Sequence, residues 1–161
     1  MESYIKIDGW NAYIRFSSAH IISDYKKCGR LHGHTYAVHT KVVGEPDKDG
    51  IIIDFSLLKE TLRDIVSILD HKILIPENSS LIVIEKEKDR IKLESQKKRY
   101  IFPLNDCVLL PIGSTSAENL AQYILDKLLE RFPLLKRIKS IEIGVDEGFG
   151  QGARIRKNLK T

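Results

Sequence analysis

Within Cys28-Gly29-Arg30-Leu31-His32-Gly33-His34-Thr35-Tyr36, a thiol stands beside two histidines spaced to serve one metal ion. Side chains of an extended segment alternate between faces, so His32 and His34 project to one side, with Gly33 between them. A third histidine, His20, lies just past the end of another strand-like run and completes a set of three imidazoles. Three nitrogen ligands with a fourth position left for water or substrate are the arrangement of catalytic zinc. The all-imidazole donor set favours Zn2+, although iron and nickel accept the same ligands.

Cys28 admits two readings. As a fourth ligand it would close a structural site; as a thiolate favoured by a nearby cation it would be a general base or nucleophile. The catalytic reading is preferred, since structural sites more often pair two cysteines closely. Asp70-His71 adds a second acid–base group, because an adjacent carboxylate can orient an imidazole and stabilise its protonated form. Glu147 ends the apolar alternation Ile141, Ile143, Val145, where a carboxylate is costly unless it is paired or meets a ligand. An edge of adjacent N–H donors would suit it. His39, on the opposite strand face from His34, reads as an ordinary structural histidine. Cys107, flanked by Asp106 and Val108-Leu109-Leu110, reads as a small buried hydrophobe.

These groups need elements to hold them. Trp10, Ala12, Ile14 and Phe16 alternate with polar residues and predict a strand leading to His20; His34 to Val43 predicts a second strand beside it. Turn formers at 44–50 precede a short strand expected at Ile51-Ile52-Ile53-Asp54-Phe55. Phe55, Leu58, Leu62, Ile65, Val66 and Leu69 have the spacing of an amphipathic helix ending near Asp70-His71. Thr115-Ser116-Ala117-Glu118 has the spacing of a capping box. A helix striped with Leu120, Ala121, Ile124, Leu125, Leu128, Leu129 and Phe132 follows, stopped by Pro133. Strands are then expected from Ile141 to Glu147 and around Ala153-Arg154-Ile155, separated by a glycine-rich turn. Residues about 74 to 112 form an insertion with hairpin-like alternation, its charges at 85–90 suited to a sheet edge. The expected product is a single α+β domain over 1–161, with an antiparallel sheet and helices on one face.

Composition narrows the partners. At 161 residues, with 42% hydrophobic and 30% charged residues, the chain can bury a core without disulfides. No apolar run of membrane-spanning length and no signal-like amino terminus is present in this sequence, so the expectation is a cytoplasmic protein with no membrane partner and free thiols. The net charge of +4 comes mainly from interspersed residues. Lys97-Lys98-Arg99 and the tail Arg154, Arg156, Lys157, Lys160 read as solvated surface, and no nucleic-acid motif accompanies them.

Ser18-Ala19-His20, Cys28-Gly29-Arg30-Leu31-His32-Gly33-His34, Ile53-Asp54-Phe55, Leu69-Asp70-His71, Ser116-Ala117-Glu118-Asn119-Leu120-Ala121 and Val145-Asp146-Glu147 occur in the order of the 6-pyruvoyl-tetrahydropterin synthase family, which the chain resembles along nearly its whole length. The short gap from Cys28 to His32 looks most like the 6-carboxytetrahydropterin synthase branch of the queuosine pathway. The resemblance implies that His20, His32 and His34 bind zinc, that Cys28 is the catalytic base, and that Asp70 with His71 is the second proton-transfer group. It also implies that Glu147 holds the 2-amino and N3 edge of a pterin. Ser116 is a substrate-binding candidate, because Thr115-Ser116 replaces the family's Pro-Thr near the pterin. Gly148 replaces a threonine there too.

The implied fold is the tunnelling fold, a four-stranded antiparallel sheet with two helices, assembled into barrels, commonly hexamers, with active sites between subunits. The implied reaction converts 7,8-dihydroneopterin triphosphate to 6-carboxy-5,6,7,8-tetrahydropterin, releasing triphosphate and acetaldehyde. Two enzymatic alternatives share the fold: formation of the 6-pyruvoyl product, or cleavage to a 6-hydroxymethylpterin. The alternative from another class is a non-catalytic, metal-stabilised binding protein with Cys28 in a closed site.

Overall fold

The computed structural model describes residues 2–132 and 136–159. It opens with β1 (Ser3–Ile7), a strand that sequence alternation did not announce, followed by β2 (Arg15–His20) and β3 (His32–Gly44). The expected neighbours β2 and β3 pair antiparallel, with His20 opposite His32 and Ser18 opposite His34. The strand expected from Trp10 begins only at Arg15. Backbone hydrogen-bonding capacity is spent locally instead: the Asp8 carboxylate accepts from the N–H groups of Trp10 and Asn11, and Ala12 N–H donates to the Asp8 carbonyl.

The short strand expected at 51–55 is also absent, for a similar reason. The Asp47 side chain accepts from Asp49 and Ile51 N–H, and Asp54 caps the next helix. That helix, α1 (Phe55–Ser67), starts where Asp54 accepts from Ser56 and Leu57 N–H, satisfying donors with no partner inside the helix. It buries Leu58, Leu62, Ile65 and Val66 of the stripe read from sequence, and Leu69 just past its end is buried too, whereas Phe55 at its first position is exposed. A turn after α1 then carries Asp70 and His71 into β4 (Lys72–Pro76).

Residues 83–103 form a separate three-stranded antiparallel sheet of β5 (Val83–Lys86), β6 (Arg90–Ser95) and β7 (Lys98–Pro103). Its apolar face, with Ile82, Ile91 and Leu93 buried, packs on Ile75 of β4. Cys107 is half-buried at the margin of this small core. β8 (Cys107–Leu110) returns the chain to the large sheet, so the ends of the 74–112 segment are main-sheet strands and only its middle is the extra sheet.

The second helix, α2 (Ala117–Arg131), is capped by Ser116, whose hydroxyl accepts from Asn119 N–H. The box expected on Thr115 does not form and the cap falls one residue later: the Thr115 carbonyl is engaged elsewhere, its buried hydroxyl has no hydrogen-bond partner, and the Ser116 N–H donates to the Ser114 hydroxyl. The helix ends at Arg131 with Phe132 as C-cap, and the expected stop at Pro133 lies outside the described residues. β9 (Ile138–Glu147) and β10 (Gly152–Asn158) finish the chain, both longer than their apolar cores suggest.

The large sheet has the order β10-β9-β3-β2-β4-β8, with β1 pairing β3 beside β2. Its β10-β9-β3-β2 part is the four-stranded antiparallel sheet expected. β4 joins β2, and β8 joins β4, in parallel, which their nearly continuous apolar runs permit. Both helices share one core with the sheet: Leu58, Leu62, Leu120, Ile124 and Leu128 meet Phe16, Tyr36, Val38, Ile143 and Val145. Each such fully buried side chain contributes roughly 1.5–3 kcal/mol. None of the described helices is long and apolar enough to cross a membrane.

Candidate active site

The antiparallel register of β2 and β3 gathers His20, His32 and His34, whose candidate ligand atoms all lie within 4.8 Å of one another. Two of the rings are oriented by the backbone. His20 Nδ1 is 3.0 Å from the Thr115 carbonyl oxygen, and His32 Nδ1 is 2.7 Å from that of Arg30. A carbonyl only accepts, so each Nδ1 carries the proton and each Nε2 presents a lone pair. The two Nε2 atoms are 3.1 Å apart. Neither can donate to the other, and two facing lone pairs call for a cation. Nitrogens bound at about 2.0–2.1 Å on a tetrahedral ion stand about 3.3 Å apart, so the His20–His32 pair has the spacing such an ion needs.

A proton is a poor substitute for that cation. Burial, opposed by the Thr115 carbonyl and reinforced by His32 and His34, lowers the His20 pKa from 6.5 to about 4. Burial, followed by His32, also lowers that of His34. Tyr36, two residues beyond His34 on the same strand face, was read only as a strand residue. Its hydroxyl lies 3.3 Å and 3.4 Å from the two His20 nitrogens, its ring stacks on Phe16, and burial pushes its pKa up so that it stays protonated. Parity with His32 and His34 was the available signal.

Cys28 stands outside the group of converging ligand atoms. It is exposed on the 21–31 loop and opens into a recess of about 570 Å³ with Ser116, Glu118, Glu147 and Gln151. Glu147 Oε2 lies 4.0 Å from His34 Nε2, so the recess adjoins the histidine cluster. Burial raises the Glu147 pKa; the nearby Glu118 adds to the rise and His32 opposes it. Glu118 was absorbed by the capping-box reading and missed as a member of this recess.

Asp70 and His71 do come together. His71 Nδ1 is 2.9 Å from Asp70 Oδ2, and Asp70 Oδ1 accepts from Ser17 N–H at 2.8 Å. Despite burial, which acts the other way, those contacts hold the Asp70 carboxyl below its ordinary range. The His71 side chain is 83% exposed, and its backbone sits at φ 57, a left-handed conformation uncommon outside glycine. It opens into a second recess of about 590 Å³, which shares no lining residue with the Cys28 recess.

The helix-free side of the same strands carries a different cluster. Asp146 Oδ2 accepts from Trp10 Nε1 at 3.0 Å and His39 Nε2 at 2.9 Å, while Oδ1 pairs with Arg154 at 2.7 Å. Gly9 N–H donates to His39 Nδ1, so His39 is structural, as read. Beyond Glu147 the chain turns through Gly148 at φ 75, where a threonine would be strained.

A mixed-sheet α+β fold with a three-histidine cluster able to hold a metal ion, a flanking cysteine and a nearby carboxylate recess defines the class. Comparisons with known proteins agree. The profile described as 6-pyruvoyl tetrahydropterin synthase matches residues 11–158, and the chain belongs to that family. A Methanocaldococcus jannaschii protein called putative 6-carboxy-5,6,7,8-tetrahydropterin synthase is 38% identical over 160 residues, covering 98% of each chain. A Haemophilus influenzae protein called 6-carboxy-5,6,7,8-tetrahydropterin synthase is 28% identical over 118 residues, 70% of this chain and 76% of that one. Among solved structures, Plasmodium falciparum 6-pyruvoyl tetrahydropterin synthase superposes with a TM-score of 0.91 at 36% identity, over 98% of this chain and 99% of that one. Within the family the chain resembles the 6-carboxytetrahydropterin synthase branch.

Proposed function

We propose that this protein is a zinc-dependent lyase that converts 7,8-dihydroneopterin triphosphate to 6-carboxy-5,6,7,8-tetrahydropterin with release of triphosphate and acetaldehyde. The observation that carries the reading is the adjacency of two sites: an imidazole cluster whose bare nitrogens need a cation, and a carboxylate 4.0 Å from one of those imidazoles. His20, His32 and His34 would hold Zn2+, which would supply Lewis acidity toward the side-chain oxygens and acidify the neighbouring C–H bonds. Glu147, helped by Ser116 at the start of α2, would bind the 2-amino and N3 edge of the pterin and aim its side chain at the cluster. Cys28 thiolate would take a C–H proton from that side chain. His71, with Nδ1 committed to Asp70, would deliver or remove a proton through Nε2.

Cys28 and His71 open into separate recesses of one chain, which supports a site completed by a second copy. A homohexamer with active sites between subunits is part of the same reading, as are a cytoplasmic location and a single domain over 1–161. A 6-pyruvoyl product is the second reading, favoured by the likeness to the Plasmodium falciparum enzyme of that name. Incubation of the zinc-loaded protein with dihydroneopterin triphosphate, followed by mass spectrometry of the pterin and assay of acetaldehyde, separates the two. Unchanged substrate would overturn both.

A further inference from the structure

The β6–β7 turn of the small sheet carries a conformational oddity. Gln96 and Lys97 are its central residues, at φ 51 and φ 63. Two-residue hairpin loops with both central residues left-handed normally use Asn-Gly or another glycine pair, because a side chain crowds its own backbone there. Neither residue here is glycine or asparagine. A strained turn of this kind persists only where its surroundings over-determine it, and such turns gather at functional sites.

The surroundings are the Cys28 loop. Ser95, 2% exposed, has its hydroxyl 2.8 Å from that of Ser23. The Gln96 side-chain amide lies against the α-carbon of Gly29, the neighbour of Cys28: a Cβ built there would stand 2.5 Å from Oε1 and 2.6 Å from Nε2. The loop is folded tightly at the same point, with Gly29 N–H donating to the Tyr25 carbonyl, Arg30 N–H to that of Lys27 and Ile22 N–H to that of Cys28 itself. Behind the turn, the small sheet is fastened to β4 through Ile75, Ile82, Ile91 and Leu93. A continuous packed path therefore runs from β4 of the large sheet to the peptide of Cys28.

We infer that the inserted three-stranded sheet is a splint for the Cys28 loop, with Ser95 and Gln96 as positioning residues that hold the thiol over the substrate recess. The catalytic half of this inference rests on the proposed role of Cys28; the mechanical half does not. The sheet thereby does for the loop what the carbonyls of Arg30 and Thr115 do for the histidines: it restricts the group before substrate arrives, as precise proton transfer requires.

The test is the double variant Ser95→Ala/Gln96→Gly in the full-length, zinc-loaded protein. Glycine at 96 relieves the left-handed strain while alanine at 95 removes the hydrogen bond to Ser23, so thermal stability can move either way, but a merely structural turn would leave turnover unchanged. The splint instead predicts at least tenfold faster amide exchange in peptides covering residues 21–31, with zinc content retained. It also predicts kcat at least tenfold lower with KM within twofold. Exchange at 21–31 equal to wild type would overturn the splint. Faster exchange with unchanged kcat would overturn the positioning role. If wild-type protein leaves dihydroneopterin triphosphate untouched, the function proposed above fails, while the exchange result still decides for or against the splint.

Discussion

The histidine cluster and the Asp70–His71 pair use the same side chain in opposite ways. His20 is 1% exposed, and its Nδ1 proton is fixed by a carbonyl at the start of α2; His71 is 83% exposed and is held by one carboxylate. Burial with a fixed tautomer makes a good ligand, because the lone pair is aimed and protonation is disfavoured. Exposure with one free nitrogen suits proton exchange. Under the proposed function, the deepest ring binds and the exposed ring transfers.

Substitutions can break this contrast. His32→Ala should strip zinc and lower turnover by about a thousandfold or more, since ligand and Lewis acid go together. Metal analysis beside a turnover assay checks it. His71→Ala should keep full zinc occupancy and lower turnover by about 10²–10⁴-fold, the usual range for a lost acid–base group. Zinc loss in that variant would end the separation of roles. Cys28→Ala belongs with His71→Ala: zinc retained and turnover abolished, whereas a closed structural site would lose its metal.

Stability against pH sharpens the same contrast. Metal-free protein should weaken as pH falls from about 6.5, where unfolded His20 begins to bind a proton, to about 4, where the folded form follows. The lowered folded pKa means that the unfolded state holds more protons in this window, so the effect is a loss of stability on acidification. It amounts to roughly 3 kcal/mol when complete. Urea titrations of wild type and His20→Gln at several pH values measure it, and equal slopes would refute it. The smallest expected effect is Ser116→Ala, a lost helix cap worth about 1 kcal/mol in thermal melts.

The local chemistry was legible because its signals are short-range. Two histidines on alternate positions of a strand declare a common face, and the stripes of α1 and α2 repeat at fixed spacings. What could not be read depends on which group claims a backbone donor. Asp8 and Asp47 are ordinary turn formers in sequence, yet they turn the expected strands at 10–14 and 51–55 into local hydrogen-bonded structure. Ser116 rather than Thr115 caps α2 because the preceding carbonyl is engaged by His20, a contact spanning 95 residues. The parallel placement of β4 and β8 was hidden too, since nothing local says which strand an apolar run will join.

His39 closes the comparison from the other side of the sheet. Its Nδ1 accepts from Gly9 N–H and its Nε2 is committed to Asp146, so the ring has no nitrogen left to offer a reagent. Histidine acylation is therefore a reporter that sorts these residues by chemical availability. Zinc-loaded protein should yield a fast population at His71 and leave His39 unmodified, and removal of the metal should release additional reactive rings without changing His39. His39 and His71 each stand 2.9 Å from an aspartate, yet such chemistry would mark one and silently pass over the other.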